Sequence, residues 1–186
     1  GLDTDAPELI FGCQSGTLNA DLTVGIDATS ATPMEANQGV CFRGIIFLGD
    51  GFILRPEEQS ALLEAEPQSA ELVKTYRSGR DLSAKVRGVT ILDPFGLDLS
   101  TLRKSYPAVY TRLAERVRPI RAMDRRASYR DNWWYFAEAR PEFRESVAPL
   151  ERYILTIQTA KHRTFQFASA SVMMDQTLIG VCLSDA

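Results

Sequence analysis

Apolar positions open the chain at strand spacing. Leu9-Ile10-Phe11 and Leu22-Thr23-Val24-Gly25-Ile26 predict short strands, and the Ala-, Thr-, Ser- and Pro-rich residues 28–39 predict a loop. Residues 42–48 and 51–54 flank Gly49-Asp50-Gly51, a turn sequence that accepts positive φ, so a hairpin is expected there. The period then lengthens. Pro56 leads Glu57 and Glu58 into Ala61-Leu62-Leu63 as one helix. Pro67 opens a second, with Ala70, Leu72, Val73 and Tyr76 apolar and Gly79 as its stop. Residues 89–92 predict a strand closed by Asp93-Pro94. Asp98 before Ser100 reads as a helix cap.

Pro107 divides two helical pieces. In the second, Val109, Leu113 and Val117 form a buried stripe, with Arg112 and Arg116 facing outward. A further helix is expected from Pro119 towards Trp133, and another from Pro141 through Phe143 and Val147 to the break at Pro149. Residues 153–158, 163–167 and 178–183 return to strand, with Asp175-Gln176-Thr177 a turn. The fold class expected is α+β: mixed strands and hairpins at the N- and C-terminal ends, with a central helical, arginine-rich segment.

A length of 186 residues fits a single domain, with possible subdomains at 1–100 and 101–186 sharing a core. No apolar run approaches the roughly 18–20 residues that span a bilayer, and no basic and apolar leader stands at the start, so a cytoplasmic protein is expected. Cys13, Cys41 and Cys182 are far apart and form no C-x-x-C pair, and the single histidine completes no Cys/His zinc set. They are expected to be buried thiols in a reducing compartment. The chain begins at Gly1 and ends on an apolar run, the pattern expected of a segment excised from a larger enzyme.

The net charge of −3 is unevenly spread. Residues 1–102 carry 7 Lys and Arg against 15 Asp and Glu, whereas residues 103–130 carry 9 against 2. Eight of those nine are arginines, whose planar forks bind phosphate and guanine edges bidentately. Few acids stand within helical reach, so either an anion partner or the acidic N-terminal half must balance them.

Familiar catalytic signatures are missing. There is no phosphate-binding G-x-x-x-x-G-K-[ST] loop, and Gly49-Asp50-Gly51 is not a dinucleotide fingerprint. Asp81, Asp93 and Asp98 read as turn and cap residues rather than metal ligands.

The ordered set Phe42-x-Gly44, Gly49-x-Gly51-Phe52, Tyr76-x-x-Gly79-x-Asp81-Leu82, Ile91-Leu92-Asp93 and Tyr106-Pro107 continues with Val117-x-Pro119-x-Arg121, Arg126 and Arg130. Trp133-Trp134-x-Phe136 and Lys161-His162 with Phe165 complete it. Together these landmarks resemble the target-recognition domain of the MmeI-like (type IIL) fused restriction endonuclease–adenine DNA methyltransferases. The likeness covers residues 38–186, and residues 1–37 match poorly.

The resemblance implies a bacterial enzyme that modifies double-stranded DNA. Its endonuclease and N6-adenine methyltransferase domains would lie on the same polypeptide, outside this chain. S-adenosylmethionine and Mg²⁺ would belong to those domains, since no N-P-P-Y motif stands here. No catalytic residue, metal ligand or cofactor is assigned to this segment.

Within it, Arg118, Arg121, Arg125, Arg126 and Arg130 are the candidates for DNA phosphates. Lys161, His162, Arg163, Thr164 and Gln166 are the candidates for base edges. On a strand they would project polar groups to both faces, and Arg and Gln have the chemistry for guanine and adenine. A solvated edge strand is the plainer alternative. Trp133 and Trp134 cannot share one helix face, so one is expected in the core and the other at a surface, stacking or structural. Two other readings stand beside DNA recognition: a protein-interaction domain docking an acidic partner through its basic helices, and a hydrolase built on His162.

Overall fold

The computed structural model describes residues 34–183 and, ahead of them, Gly16, Leu18, Val24, Gly25 and Thr32. The chain divides into two compact units, residues 1–37 and 38–186. In the first, Leu18 and Val24 form an isolated antiparallel bridge. The rest of the two strands expected there, and Cys13, lie outside the described residues. No boundary falls near residue 100: the longer unit holds one continuous core running from Ile45 to Cys182.

That unit is α+β. Its strands are β1 (Cys41–Arg43), β2 (Ile53–Leu54), β3 (Val73–Arg77), β4 (Thr90–Leu92), β5 (Arg152–Ile157), β6 (Phe165–Ser169), β7 (Val172–Met174) and β8 (Leu178–Val181). Its helices are α1 (Pro56–Ala65), α2 (Gly79–Ser83), α3 (Leu99–Ser105), α4 (Pro107–Arg116), α5 (Arg118–Ala122), α6 (Ala127–Asp131) and α7 (Pro141–Val147). One sheet has the order β1-β8-β5-β6 and is antiparallel throughout, with Leu155 opposite Gly180 and Tyr153 opposite Ala168. The other has the order β2-β4-β3-β7, with β3 and β7 parallel and Tyr76 opposite Met173. Gly180 marks a close approach between the sheets. A Cβ there would sit 2.7 Å from the Met174 Cε and 3.2 Å from the Tyr153 ring.

The predicted hairpin around Gly49 does not form. β1 pairs with β8 and β2 with β4, while Ile45 and Ile46 make single bridges to Asp175 and Glu138. Gly44 makes this route possible: a Cβ there would lie 2.0 Å from the Asp175 carbonyl oxygen. The helix expected from Pro67 to Gly79 is also replaced. A 3-10 turn (Pro67–Leu72) leads into β3, and Gly79 begins α2 rather than ending a helix. Asp81 fixes that start by accepting the Ser78 backbone N–H at 2.9 Å. The helix expected from Pro119 to Trp133 is broken into α5 and α6.

α3, α4 and α7 follow the pattern read from the sequence. Asp98 caps α3 by accepting from the Thr101 N–H at 2.9 Å. Val109 and Leu113 on α4, and Val117 at its C-cap, are all fully buried. The buried Glu66 carboxylate accepts the Ala108 N–H at 2.8 Å, placing a negative charge at the α4 N-terminus. Arg112 does not face outward as expected. Its guanidinium turns onto the Gly51 and Ile53 carbonyls, at 2.8 and 2.7 Å, and onto Glu58 at 3.0 Å. Arg116 reaches the same carboxylate at 2.9 Å. Part of the basic stretch is therefore balanced by the acidic half of the chain. Cys182 is buried and its thiol is raised to about 11 by burial, whereas Cys41 is exposed and departs from the expected buried thiols.

Candidate nucleic-acid interface

Four exposed arginines of the basic stretch lie between the end of α4 and the end of α6, whereas Arg103 and Lys104 of the same stretch are exposed on α3. The break between α5 and α6 forms a corner that presents Arg125, Arg126 and Arg130, and Arg118 stands at the start of α5; all four are exposed. Arg130 donates to the Asp124 and Arg125 carbonyls at 2.9 and 3.0 Å, which fixes the corner and leaves its charge uncompensated. Arg126 donates to the Tyr129 hydroxyl at 2.5 Å and keeps 68% of its side chain exposed, with Glu138 4.0 Å away. Arg118 lies over the Trp133 ring at 5.8 Å. Among the described residues Arg118, Arg125 and Arg130 form no ion pair with a carboxylate. Ile120 and Met123 stand exposed among these charges, Met123 by 86%.

Arg121 is a different case, and the phosphate role expected for it does not hold. It is only 1% exposed. Its Nε donates to the Leu48 carbonyl at 3.1 Å, and its Nη2 to the Phe47 and Tyr135 carbonyls at 3.0 and 2.6 Å. Leu48 has a positive φ of 45°, and the Arg121 contact holds its carbonyl in that turn. Burial pulls the Arg121 side chain below its ordinary basicity. A residue locked between three carbonyls inside the fold reaches no phosphate.

Residues 161–164 also depart from expectation. Lys161, His162, Arg163 and Thr164 lie in the loop before β6, and only Phe165 and Gln166 belong to the strand. All six are exposed. The projection of alternate residues to opposite faces therefore does not apply to the first four, which are presented by a turn. Arg163 donates to the Gln158 carbonyl at 3.4 Å, and Gln166 donates to the Leu82 carbonyl at 3.2 Å. β6 is an edge strand, and Phe165 and Phe167 project from it at 61% and 58% exposure. Among the described residues, no hydrogen bond or ion pair joins this loop to the arginine corner.

Trp133 is buried and Trp134 half-buried, their rings 6.0 Å apart at a steep angle. The Trp134 Nε1 donates to the Leu97 carbonyl at 3.0 Å, and the Tyr135 hydroxyl donates to the same oxygen. Trp134 thus serves the joint between the β4–α3 loop and the segment after α6, while Trp133 packs against the Tyr110 ring of α4 at 5.9 Å.

A second polar cluster lies around Arg87. It donates to Asp81 through Nε at 2.9 Å and Nη2 at 2.6 Å. Burial pushes the Asp81 carboxyl up, but hydrogen bonds from Arg87 and Ser78 outweigh it and hold the group below the usual carboxylate range. Tyr76 donates to Asp175 at 3.0 Å, and its hydroxyl is raised chiefly by burial. Thr177 accepts the Gly79 N–H at 2.7 Å, tying α2 to the β7–β8 turn. Among the described residues, no group of three or more His, Cys, Asp and Glu is placed to hold a metal ion.

No family model and no curated protein match the sequence. Among solved structures the fold has a counterpart in the type IIL restriction-modification enzyme MmeI, determined in complex with DNA. The two superpose with a TM-score of 0.65 at 18% sequence identity, over 89% of this chain and 22% of that one. In fold, the chain resembles a segment of MmeI. It spans about a fifth of that enzyme's length.

The landmarks read from the sequence turn out to be joints of this fold. Gly44 meets the Asp175 backbone, Gly51 lies under Arg116 and Val117, Asp81 caps α2, Asp93 pairs with Arg144, and Arg121 pins the 47–48 turn. The sequence reading missed an aromatic pocket between Phe95 and α6. Its walls come from segments about thirty residues apart in the chain, and no local spacing announces it.

Proposed function

We propose that this chain is the DNA-recognition segment of a restriction-modification enzyme and grips double-stranded DNA without performing chemistry on it. The observation that carries the reading is the arginine corner: exposed guanidinium groups that, apart from Arg126 with Glu138 4.0 Å away, have no carboxylate partner among the described residues, on a fold shared with a segment of an enzyme solved on DNA. Arg118, Arg125, Arg126 and Arg130 hold phosphates, which sets position and register without reading sequence. Lys161, His162, Arg163, Thr164 and Gln166 supply donors and acceptors to base edges. Methyl transfer from S-adenosylmethionine and Mg²⁺-dependent cleavage belong to other domains of the intact bacterial polypeptide, the methyltransferase domain being the partner within it.

A mobility-shift titration of the 186-residue chain with duplex DNA tests this, with salt as the variable. Binding that weakens log-linearly with salt is expected, because each neutralised phosphate releases counterions. Binding indifferent to salt, or methyl transfer by the chain itself from labelled S-adenosylmethionine, would reject the reading. An acidic protein partner predicts no duplex binding at all.

A further inference from the structure

The pocket that adjoins the arginine corner has the chemistry of a binding site. It measures about 420 Å³ and is lined by Phe95 and Gly96 of the β4–α3 loop, Ser128 and Tyr129 of α6, and Asn132, Tyr135 and Phe136 beyond it. That is within the range of small-ligand sites, about 300–1,000 Å³. Four aromatic rings contribute to its wall, from the exposed Phe95 through Tyr129 and Tyr135 to the buried Phe136.

Arg121 lines the same pocket. Three backbone carbonyls take its Nε and Nη2, but its Nη1 is enclosed and has no acceptor among the described residues. An enclosed charged donor without a partner is costly and rare in folded proteins, and in a residue that lines a pocket an acceptor brought in from outside would relieve that cost. Asn132 donates its amide to the Ser128 carbonyl at 3.1 Å, which leaves its side-chain oxygen able to accept. A guanidinium donor and an amide acceptor among aromatic walls suit a flat ring that carries both a carbonyl oxygen and an N–H. A bare anion would use the guanidinium but gain nothing from the rings.

The position of the pocket says where such a ring would come from. Tyr129 belongs to both features: its ring lies 5.4 Å from the Arg121 guanidinium and 5.0 Å from that of Arg126. A duplex held by Arg125, Arg126 and Arg130 therefore passes the pocket mouth.

We propose that the pocket receives one nucleobase turned out of the duplex, stacked on its aromatic walls, with the base carbonyl accepting from the Arg121 Nη1. The proposal rests on the DNA reading above and adds to it a second kind of contact. Stacking compensates the lost neighbours of the base, and the carbonyl compensates the unpartnered guanidinium nitrogen.

Four duplexes of one sequence test it with the 186-residue chain: fully paired, with a single bulged thymidine, with a bulged difluorotoluene nucleoside (the same shape without carbonyls), and with a bulged abasic site. The thymidine bulge is expected to bind on the order of tenfold more tightly than the abasic bulge, with difluorotoluene between them. Replacing Arg121 would disturb the fold, so the pocket is closed from its rim by Ser128→Trp. That change should bring the thymidine-to-abasic ratio to within about twofold.

Equal affinity for the thymidine and abasic bulges, or a ratio unchanged in Ser128→Trp, overturns the pocket. Equal affinity for thymidine and difluorotoluene overturns the Arg121 contact. Failure to bind even the paired duplex defeats the DNA reading itself, a result distinct from the others.

Discussion

Arg144 sets both of its Nη atoms against the Asp93 carboxylate, Nη1 2.6 Å from Oδ2 and Nη2 2.9 Å from Oδ1. The pair joins α7 to the end of β4, and the same guanidinium lies 4.3 Å from the centre of the Phe95 ring at the pocket mouth. Asp93 is 7% exposed, so removing its partner leaves a carboxylate in the interior. Breaking such a pair costs about 3–5 kcal/mol. Arg144→Met should therefore lower the urea midpoint markedly, and Arg144→Met with Asp93→Leu should recover part of the loss. A drop below about 1 kcal/mol would class the pair with exposed ones.

Glu58 makes stability depend on pH. The Arg112 side-chain hydrogen bond first, then the Arg55 backbone N–H, hold its carboxyl at about 2 against a usual 4.5. A carboxyl depressed in the fold contributes stability that is complete above its unfolded value and is lost as pH falls through its folded value. The difference in stability between the native chain and Glu58→Gln should thus be constant above about pH 5 and shrink as pH falls towards 2. Denaturant titrations across that range measure it. A difference that stays flat into acid would remove Glu58 from the list of acid-sensitive contacts.

Arg121 and Arg125 stand four residues apart in sequence and are expected to respond oppositely. Arg125→Ala should leave stability within about 0.5 kcal/mol and flatten the slope of log affinity against log salt by roughly one unit. Arg121→Met deprives three carbonyls of their donor and should cost about 3 kcal/mol or more in stability. Thermal unfolding and salt titration of both variants separate the two roles. A stable Arg121→Met chain with a flattened salt slope would return Arg121 to the phosphate set.

Sequence periodicity captured what is local. The α4 stripe of Val109, Leu113 and Val117, the Asp98 cap, and the proline-bounded α7 depend on residues within a turn or two of each other, and all three were legible. The β1 partner was not, because it lies in β8, some 140 residues further on, and the Gly49 turn offered a nearer partner that the structure declines. Val73 and Tyr76 show how two periods overlap: a spacing of three suits a helix face, yet β3 uses Tyr76 as one buried position of a strand. The arginine cluster was visible as charge. Its division into Arg112 and Arg121, which face backbone carbonyls, and the exposed remainder depends on where the 47–53 segment runs, which composition does not encode.

The loop before β6 sets the last expectation. Lys161, His162, Arg163 and Thr164 are exposed on a turn between β5 and β6, whose ladder runs from Arg152 opposite Ser169 to Thr156 opposite Phe165. A loop whose two ends are anchored by a five-pair ladder while its side chains stay in solvent suits recognition of base edges in a groove. Among the described residues Arg163 is bound only by a 3.4 Å contact to the Gln158 carbonyl, so turning towards a base loses little. Gln166 is held to the Leu82 carbonyl at 3.2 Å and must give up that bond first. Arg163→Ala in the intact enzyme should therefore relax the modified sequence at one position, with discrimination falling by roughly 1–3 kcal/mol there. The salt slope should be nearly unchanged. Gln166→Ala should act more weakly. Mapping of methylated sites in the two variants decides the matter: an unchanged site in both assigns the loop no part in reading, and a loss confined to Gln166→Ala moves the reading from the turn to the strand.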